Sequence, residues 1–71
     1  MIFVDVDSGY SVDDYLIDET AKCSDVIREL TEEGSLGYRL SDSFTGRILN
    51  DEMSLQDQGV TNGYRLRLRR Y

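Results

Sequence analysis

Apolar and polar residues alternate strictly at both ends of this chain. Over residues 2–7, Ile2, Val4 and Val6 fall on one side and Phe3, Asp5 and Asp7 on the other. That is the period of two expected of a half-buried strand. At the far end, Leu66 and Leu68 alternate with Arg65, Arg67 and Arg69. This predicts a last strand over Tyr64–Arg70 with one apolar face and one cationic face. Ser8-Gly9 is a turn signal. The stretch Tyr10 to Ile17, with apolar Tyr10, Val12, Tyr15, Leu16 and Ile17, predicts a second strand hairpinned to the first, although its alternation is imperfect.

The period then changes. Cys23, Val26, Ile27 and Leu30 fall at i, i+3, i+4 and i+7, the stripe of a helix facing a core. Asp25, Arg28, Glu29 and Glu32 lie on its other side. Thr20 is a candidate N-cap, its hydroxyl able to accept a free amide of the first turn. Gly34 is a candidate left-handed stop. The helix is expected over about 20–33. Short segments follow: a strand beginning at Tyr38-Arg39-Leu40, a turn over Ser41 to Gly46, a short strand at Arg47-Ile48-Leu49 and a turn at Asn50-Asp51-Glu52. Ser54 should cap a single helical turn, and Thr61-Asn62-Gly63 should turn the chain into the last strand. The expected core is Ile2, Val4, Val6, Val12, Cys23, Val26, Ile27, Leu30, Leu40, Leu49, Leu55, Val60, Leu66 and Leu68.

The predicted fold class is therefore α+β: a mixed sheet of four to five strands with one helix packed on one face. A chain of 71 residues holds one domain, 1–71. A domain this small buries about 60% of its unfolded surface, which leaves no room for a deep cleft between subdomains. The chain contains no Pro, repeat or low-complexity stretch.

That order of elements is the β-grasp order, and several stretches resemble the ubiquitin-like superfamily. Leu49-Asn50-Asp51-Glu52-Met53-Ser54-Leu55-Gln56-Asp57-Gln58-Gly59-Val60 resembles its pattern of Leu, polar turn, Ser/Thr-Leu-x-Asp and aliphatic residue. Arg39-Leu40 with Gly46-Arg47-x-Leu49 resembles its middle hairpin, and Met1 to Val6 its first strand. Gly59-Val60-Thr61-Asn62-Gly63-x-Arg65-Leu66 is similar to the bacterial YukD/EsaB-type ubiquitin-like proteins. That resemblance implies a cytoplasmic accessory or regulator of a type VII secretion system, without enzymatic activity.

Ubiquitin-type modifiers and sulfur carriers are activated at a flexible C-terminal glycine. This sequence ends Arg69-Arg70-Tyr71, so as a native terminus it is expected not to be conjugated. A modifier or sulfur carrier whose Gly-Gly lies beyond Tyr71, or a β-grasp domain of a larger protein, are the alternatives. The positions matching ubiquitin's aliphatic recognition patch are Ser41, Arg67 and Arg69, so partners that grip such a patch are not expected.

Charge adds a second layer. The net charge is −6, which repels phosphate backbones and acidic membranes. Nucleic-acid partners and membrane insertion are not expected. Half of the cations sit on the last strand. Pairing of the first and last strands would bring Asp5 and Asp7 near Arg65 or Arg67, with Arg69 and Arg70 past that pairing. The strand is then either a solvated face or a docking face for an acidic protein. On the second reading the protein-binding residues are Phe3, Arg65, Arg67, Arg69, Arg70 and Tyr71, in a monomer or weak dimer. With no His and one Cys, neither a Cys-His or Ser-His arrangement nor a zinc site can be assembled. Cys23, on the apolar stripe, reads as a buried structural thiol. No cofactor is expected.

Overall fold

The computed structural model describes residues 1–31 and 37–70. Four strands form one sheet: β1 (Ile2–Asp7), β2 (Val12–Ile17), β3 (Tyr38–Asp42) and β4 (Tyr64–Arg70), in the spatial order β2-β1-β4-β3. β1 pairs antiparallel with β2 and parallel with β4, and β4 pairs antiparallel with β3. Helix α1 (Cys23–Thr31) packs on one face. The predicted helix end near 33 and its Gly34 stop lie outside the described residues.

The alternating strands dictate the core. Val4 and Val6 of β1, Leu66 of β4 and Leu40 of β3 point to the helix side and are buried. Cys23, Val26 and Ile27 meet them from α1, and Leu49, Leu55 and Val60 close one end. Ile2, Leu30 and Leu68 are half-buried against this cluster, as are Ala21, Tyr38 and Tyr64. Each fully buried aliphatic side chain contributes about 1.5–3 kcal/mol.

Val12 departs from expectation: it is 48% exposed. The buried member of β2 is Ile17, opposite Ile2. Side chains alternate along a strand, so Ile17 on the core side sends Leu16, Asp14 and Val12 to the other. β2 is also shorter than predicted. Tyr10 lies in the turn, fully exposed, where Gly9 adopts φ 92° and donates its N–H to Asp7 Oδ1 at 2.9 Å.

The helix starts later than predicted because Thr20 is otherwise engaged. Its N–H and hydroxyl both donate to Asp18 Oδ1, at 2.9 and 2.6 Å. The first amides of α1 find backbone carbonyls instead: Cys23 N–H donates to Met53 O at 2.9 Å and Ser24 N–H to Asp51 O at 3.1 Å. These bonds satisfy donors that a helix leaves open at its N-terminus. The side chain of Gln58 holds that loop in turn, accepting Asn50 N–H at 2.6 Å and donating to Asn50 O at 3.0 Å.

β3 runs on to Asp42, two residues further than the three-residue start predicted, and the turn follows it. Arg47-Ile48-Leu49 is not a full strand; it forms a single bridge, Ser41↔Ile48. The short turn after Ser54 is a 3-10 helix, Gln56–Gln58, and Ser54 Oγ accepts Asp57 N–H at 3.0 Å.

Asp42 is the one buried charged residue among those described, 3% exposed on the core side at the end of β3. Tyr64 Oη donates to its Oδ2 at 2.7 Å, and Phe44 N–H to its Oδ1 at 2.7 Å. These bonds, the tyrosine's foremost, hold the Asp42 carboxyl below the usual aspartate range, and the same bond pushes the Tyr64 hydroxyl up. A lowered carboxyl contributes stability above its unfolded value of 3.8, lost as pH falls through the folded value. A raised phenol contributes stability below its unfolded value of 10.0, lost as pH rises through the folded value. We expect Tyr64→Phe and Asp42→Asn to lower Tm between these limits. Thermal melts followed across pH should show both the acid and alkaline limbs of the wild-type profile flattened in each variant.

Candidate functional site

The register assigns the sheet's outer face. β2 presents Val12, Asp14 and Leu16; β1 presents Phe3, Asp5 and Asp7; β4 presents Arg65, Arg67 and Arg69; β3 presents Arg39 and Ser41. One half is acidic with an apolar end, and the other is cationic. Directly opposed residues make rows across it: Leu16–Phe3, then Asp14–Asp5–Arg65, then Val12–Asp7–Arg67–Ser41, then Arg69–Arg39.

The arginines are not equivalent. Arg65 Nη2 lies 3.7 Å from Asp5 Oδ2. Asp7 was expected to pair with Arg65 or Arg67, and its ion pair is with Arg69 instead, Nη2 to Oδ2 at 3.6 Å. Arg69 Nη1 also donates to the main-chain oxygens of Asp7 at 2.8 Å and Leu68 at 2.9 Å. Arg69 thus does not lie past the acidic pairing; its long side chain reaches back over the end of β1 and ties it down. Asp7 is held below the usual aspartate range, first by the Gly9 N–H and then by the Arg69 and Arg67 charges, against the opposing effect of burial.

Arg67 stands between Asp7 and Ser41, exposed. Among the described residues it has no ion pair within 4 Å. Arg70 has the opposite parity and lies on the core side at the sheet's end. Its guanidinium carbon sits 5.2 Å from the Tyr38 ring centre, and its Nε donates to Tyr38 Oη at 3.2 Å. Tyr71 lies outside the described residues. Phe3 is 56% exposed opposite Leu16, at 52%. That apolar pair sits at the end of the face away from Arg67 and Arg69, so the predicted residues do not form one patch.

Sequence reasoning missed two members of this face. Arg39 faces Arg69, and the same alternation through Tyr38-Arg39-Leu40 would have found it. Ile48, 53% exposed, bridges Ser41 at the sheet's edge; no local pattern signals that placement.

On the acidic half, Asp5 and Asp14 lie directly opposite one another. The Asp14 carboxyl is pushed up, first by its hydrogen bond to Asp5 and then by the Asp5 charge. Like charges facing each other across strands are destabilising.

Elsewhere, an open depression of about 630 Å³ is lined by Ser8, Tyr10, Leu30, Thr31, Tyr38, Leu68, Arg69 and Arg70. It holds no carboxylate, thiol or imidazole for acid–base work. Cys23 is fully buried, and desolvation, with the Asp51 charge second, pushes its thiol up to about 12. It is protonated at neutral pH, whereas the thiolate is the nucleophile. Among the described residues no group of three His, Cys, Asp or Glu is placed to hold a metal ion, and no helix is long and apolar enough to cross a membrane.

No family model and no curated protein matches this chain. Solved structures do. The ubiquitin-like domain of Plasmodium falciparum Dsk2 superimposes with a TM-score of 0.79 at 26% identity, over 99% of this chain and 97% of that one. The fold is that of ubiquitin-like domains. A ubiquitin-like domain of an Arabidopsis thaliana protein gives 0.78 at 22% identity, covering 97% of this chain and 76% of that one. ATBAG1, solved in complex with HSP70, gives 0.81 at 16% identity, with 99% of this chain aligned to 40% of that one. In this ubiquitin-like fold the positions of the aliphatic patch do come together: Ser41 opposes Arg67, and Arg69 lies two residues on.

Two measurements check this geometry. Arg69→Ala is expected to lower stability by roughly 1 kcal/mol, a Tm fall of about 4–8 °C in a domain of this size. Arg67→Ala should stay within about 0.5 kcal/mol of wild type. For Asp14, the folded chain holds the proton more tightly than the unfolded chain does. The stability it contributes is full below 3.8 and lost as pH rises through the raised folded value. Asp14→Asn should therefore raise Tm at neutral pH, and the gain should vanish as the pH falls below that range.

Proposed function

We propose that this chain is a protein-interaction module with no catalytic activity of its own. Its docking surface is the cationic half of the outer sheet face, centred on Arg67 and flanked by Arg65 and Arg69. Arg70 and Tyr71 extend it at the end of β4, and Phe3 is an apolar anchor at the far rim. The observation that carries this reading is the exposed Arg67 guanidinium, which has no ion pair among the described residues and stands amid three further arginines. A planar guanidinium binds carboxylates in bidentate fashion, and interface hot spots are enriched in Arg and Tyr. The partner is an acidic protein surface. The complex of ATBAG1 with HSP70 is in keeping with a binding role for the fold.

The similarity of Gly59 to Leu66 to YukD/EsaB-type proteins supports a finer reading. On that sequence resemblance alone, the module is a cytoplasmic accessory or regulator of a bacterial type VII secretion system.

An affinity pulldown from the native lysate, comparing wild type with Arg67→Glu, tests both parts. Arg67 is preferred to Arg69 because its replacement should leave folding intact, which a melting curve verifies. We expect wild type to retain a secretion-system component and Arg67→Glu to lose it. Equal retention would make the arginine strand a solvated surface. Arg67-dependent capture of proteins from another pathway would keep the docking face and remove the secretion assignment. Recovery of covalent adducts or an activating enzyme would overturn the non-conjugating reading.

A further inference from the structure

The two edges of the sheet differ. β3 is flanked by the 47–49 segment: Asp42 N–H donates to Arg47 O at 2.8 Å and Leu49 N–H to Leu40 O at 2.9 Å. β2 forms the other edge, and among the described residues nothing pairs with its outward side. Five of its six residues are exposed, on both faces, with only Ile17 buried. Such an edge is a template for a further strand. It is an apolar one too, since Val12, Tyr15 and Leu16 are 48, 38 and 52% exposed.

The charges on this edge are one-sided. Asp13 and Asp14 point to opposite faces, so an incoming strand meets a carboxylate above and below. Asp14 already confronts Asp5, whose cation, Arg65, sits on its far side. Asp13 accepts a hydrogen bond from Ser11 Oγ at 2.7 Å. No cation within ion-pair distance serves either aspartate among the described residues. The neighbouring carboxylates are used elsewhere: Asp18 by Thr20 and Glu19 by the N-terminal ammonium, at 3.1 Å. A second copy does not suit the edge. Antiparallel pairing of two β2 strands about their middle would set Asp13 and Asp14 against the same residues of the copy, an unfavourable juxtaposition.

We propose that β2 is a strand-addition site for an extended segment of another protein carrying two adjacent Lys or Arg residues between apolar ones. In antiparallel register the residues opposite Leu16, Tyr15, Asp14, Asp13 and Val12 are, in order, aliphatic, aromatic, cationic, cationic and aliphatic. Main-chain bonds supply affinity, and the alternating side chains supply specificity. The site is separate from the arginine face and does not depend on that reading.

The test is an amide NMR titration of the full chain with a synthetic peptide of core Leu-Tyr-Lys-Lys-Val between Gly-Ser arms. Saturable shifts should centre on Val12–Ile17, with slowed exchange of the outward β2 amides, and Arg67→Glu should leave them unchanged. Asp13→Lys/Asp14→Lys should weaken binding by about tenfold or more. A Leu-Tyr-Glu-Glu-Val peptide should bind that variant and not wild type. Asp13→Asn/Asp14→Asn, which keeps the side-chain shape, should weaken binding in the same direction. Absence of saturable shifts, shifts centred on other acidic residues, equal binding of a scrambled peptide, or indifference to charge reversal would each overturn the proposal.

Discussion

Parallel pairing of β1 with β4 sets strands far apart in sequence side by side in the centre of the sheet, and the register Val4↔Tyr64 to Asp7↔Arg67 decides which side chains meet. The ladder is extended at its entrance by the turn before β4. Phe3 N–H donates to Asn62 Oδ1 at 2.9 Å, and Gly63 N–H donates to Phe3 O at 2.7 Å. Gly63 takes a positive φ there, 85°, which costs glycine little. Because both strands alternate, one register simultaneously joins Val4, Val6, Leu66 and Leu68 to the core and lines Asp5 and Asp7 against the arginines. A slip of one residue would bury charge.

The same ladder explains why an acidic chain concentrates arginine on β4. Asp5 and Asp7 need opposite charge alongside, and Arg65 and Arg69 supply it. Exposed pairs of this kind contribute little individually, but Arg69 goes further by binding main-chain oxygen at the end of β1. What remains is a distribution with two uncompensated regions. Arg67 and its neighbours form a cationic centre, and Asp13 with Asp14 form an acidic edge. Surfaces of opposite sign on one small domain suit two different partners better than self-association.

A sheet this small depends on its loops. The carbonyls of Asp51 and Met53 take the place of a side-chain cap on α1, Gln58 holds their loop, and Leu55 anchors it in the core. Asp42 plays the matching role at the end of β3, accepting the amides of Phe44 and Thr45 as well as the Tyr64 hydroxyl. Both devices satisfy polar groups that would otherwise be costly to bury. The nearly full-length superposition on ubiquitin-like domains at low identity fits a fold specified by pattern and by such satisfied polar groups.

Local periodicity was enough to read the α+β class, the positions of β1 and β4, the helix stripe and most of the core, because a period of two or of 3.6 residues reports burial on one side directly. It failed where alternation was imperfect. In Val12-Asp13-Asp14-Tyr15-Leu16-Ile17, apolar residues occupy both parities, and only the pairing of Ile17 with Ile2 makes Val12 an outward residue. Thr20 looked like a cap because its chemistry suits one, but Asp18 claims it, and the helix amides go to a loop some thirty residues away in sequence. The alternation placed Arg65, Arg67 and Arg69 on one face. Which of them is tied down and which stands open was decided by the parallel register and the reach of a long side chain, interactions between residues that no local pattern connects.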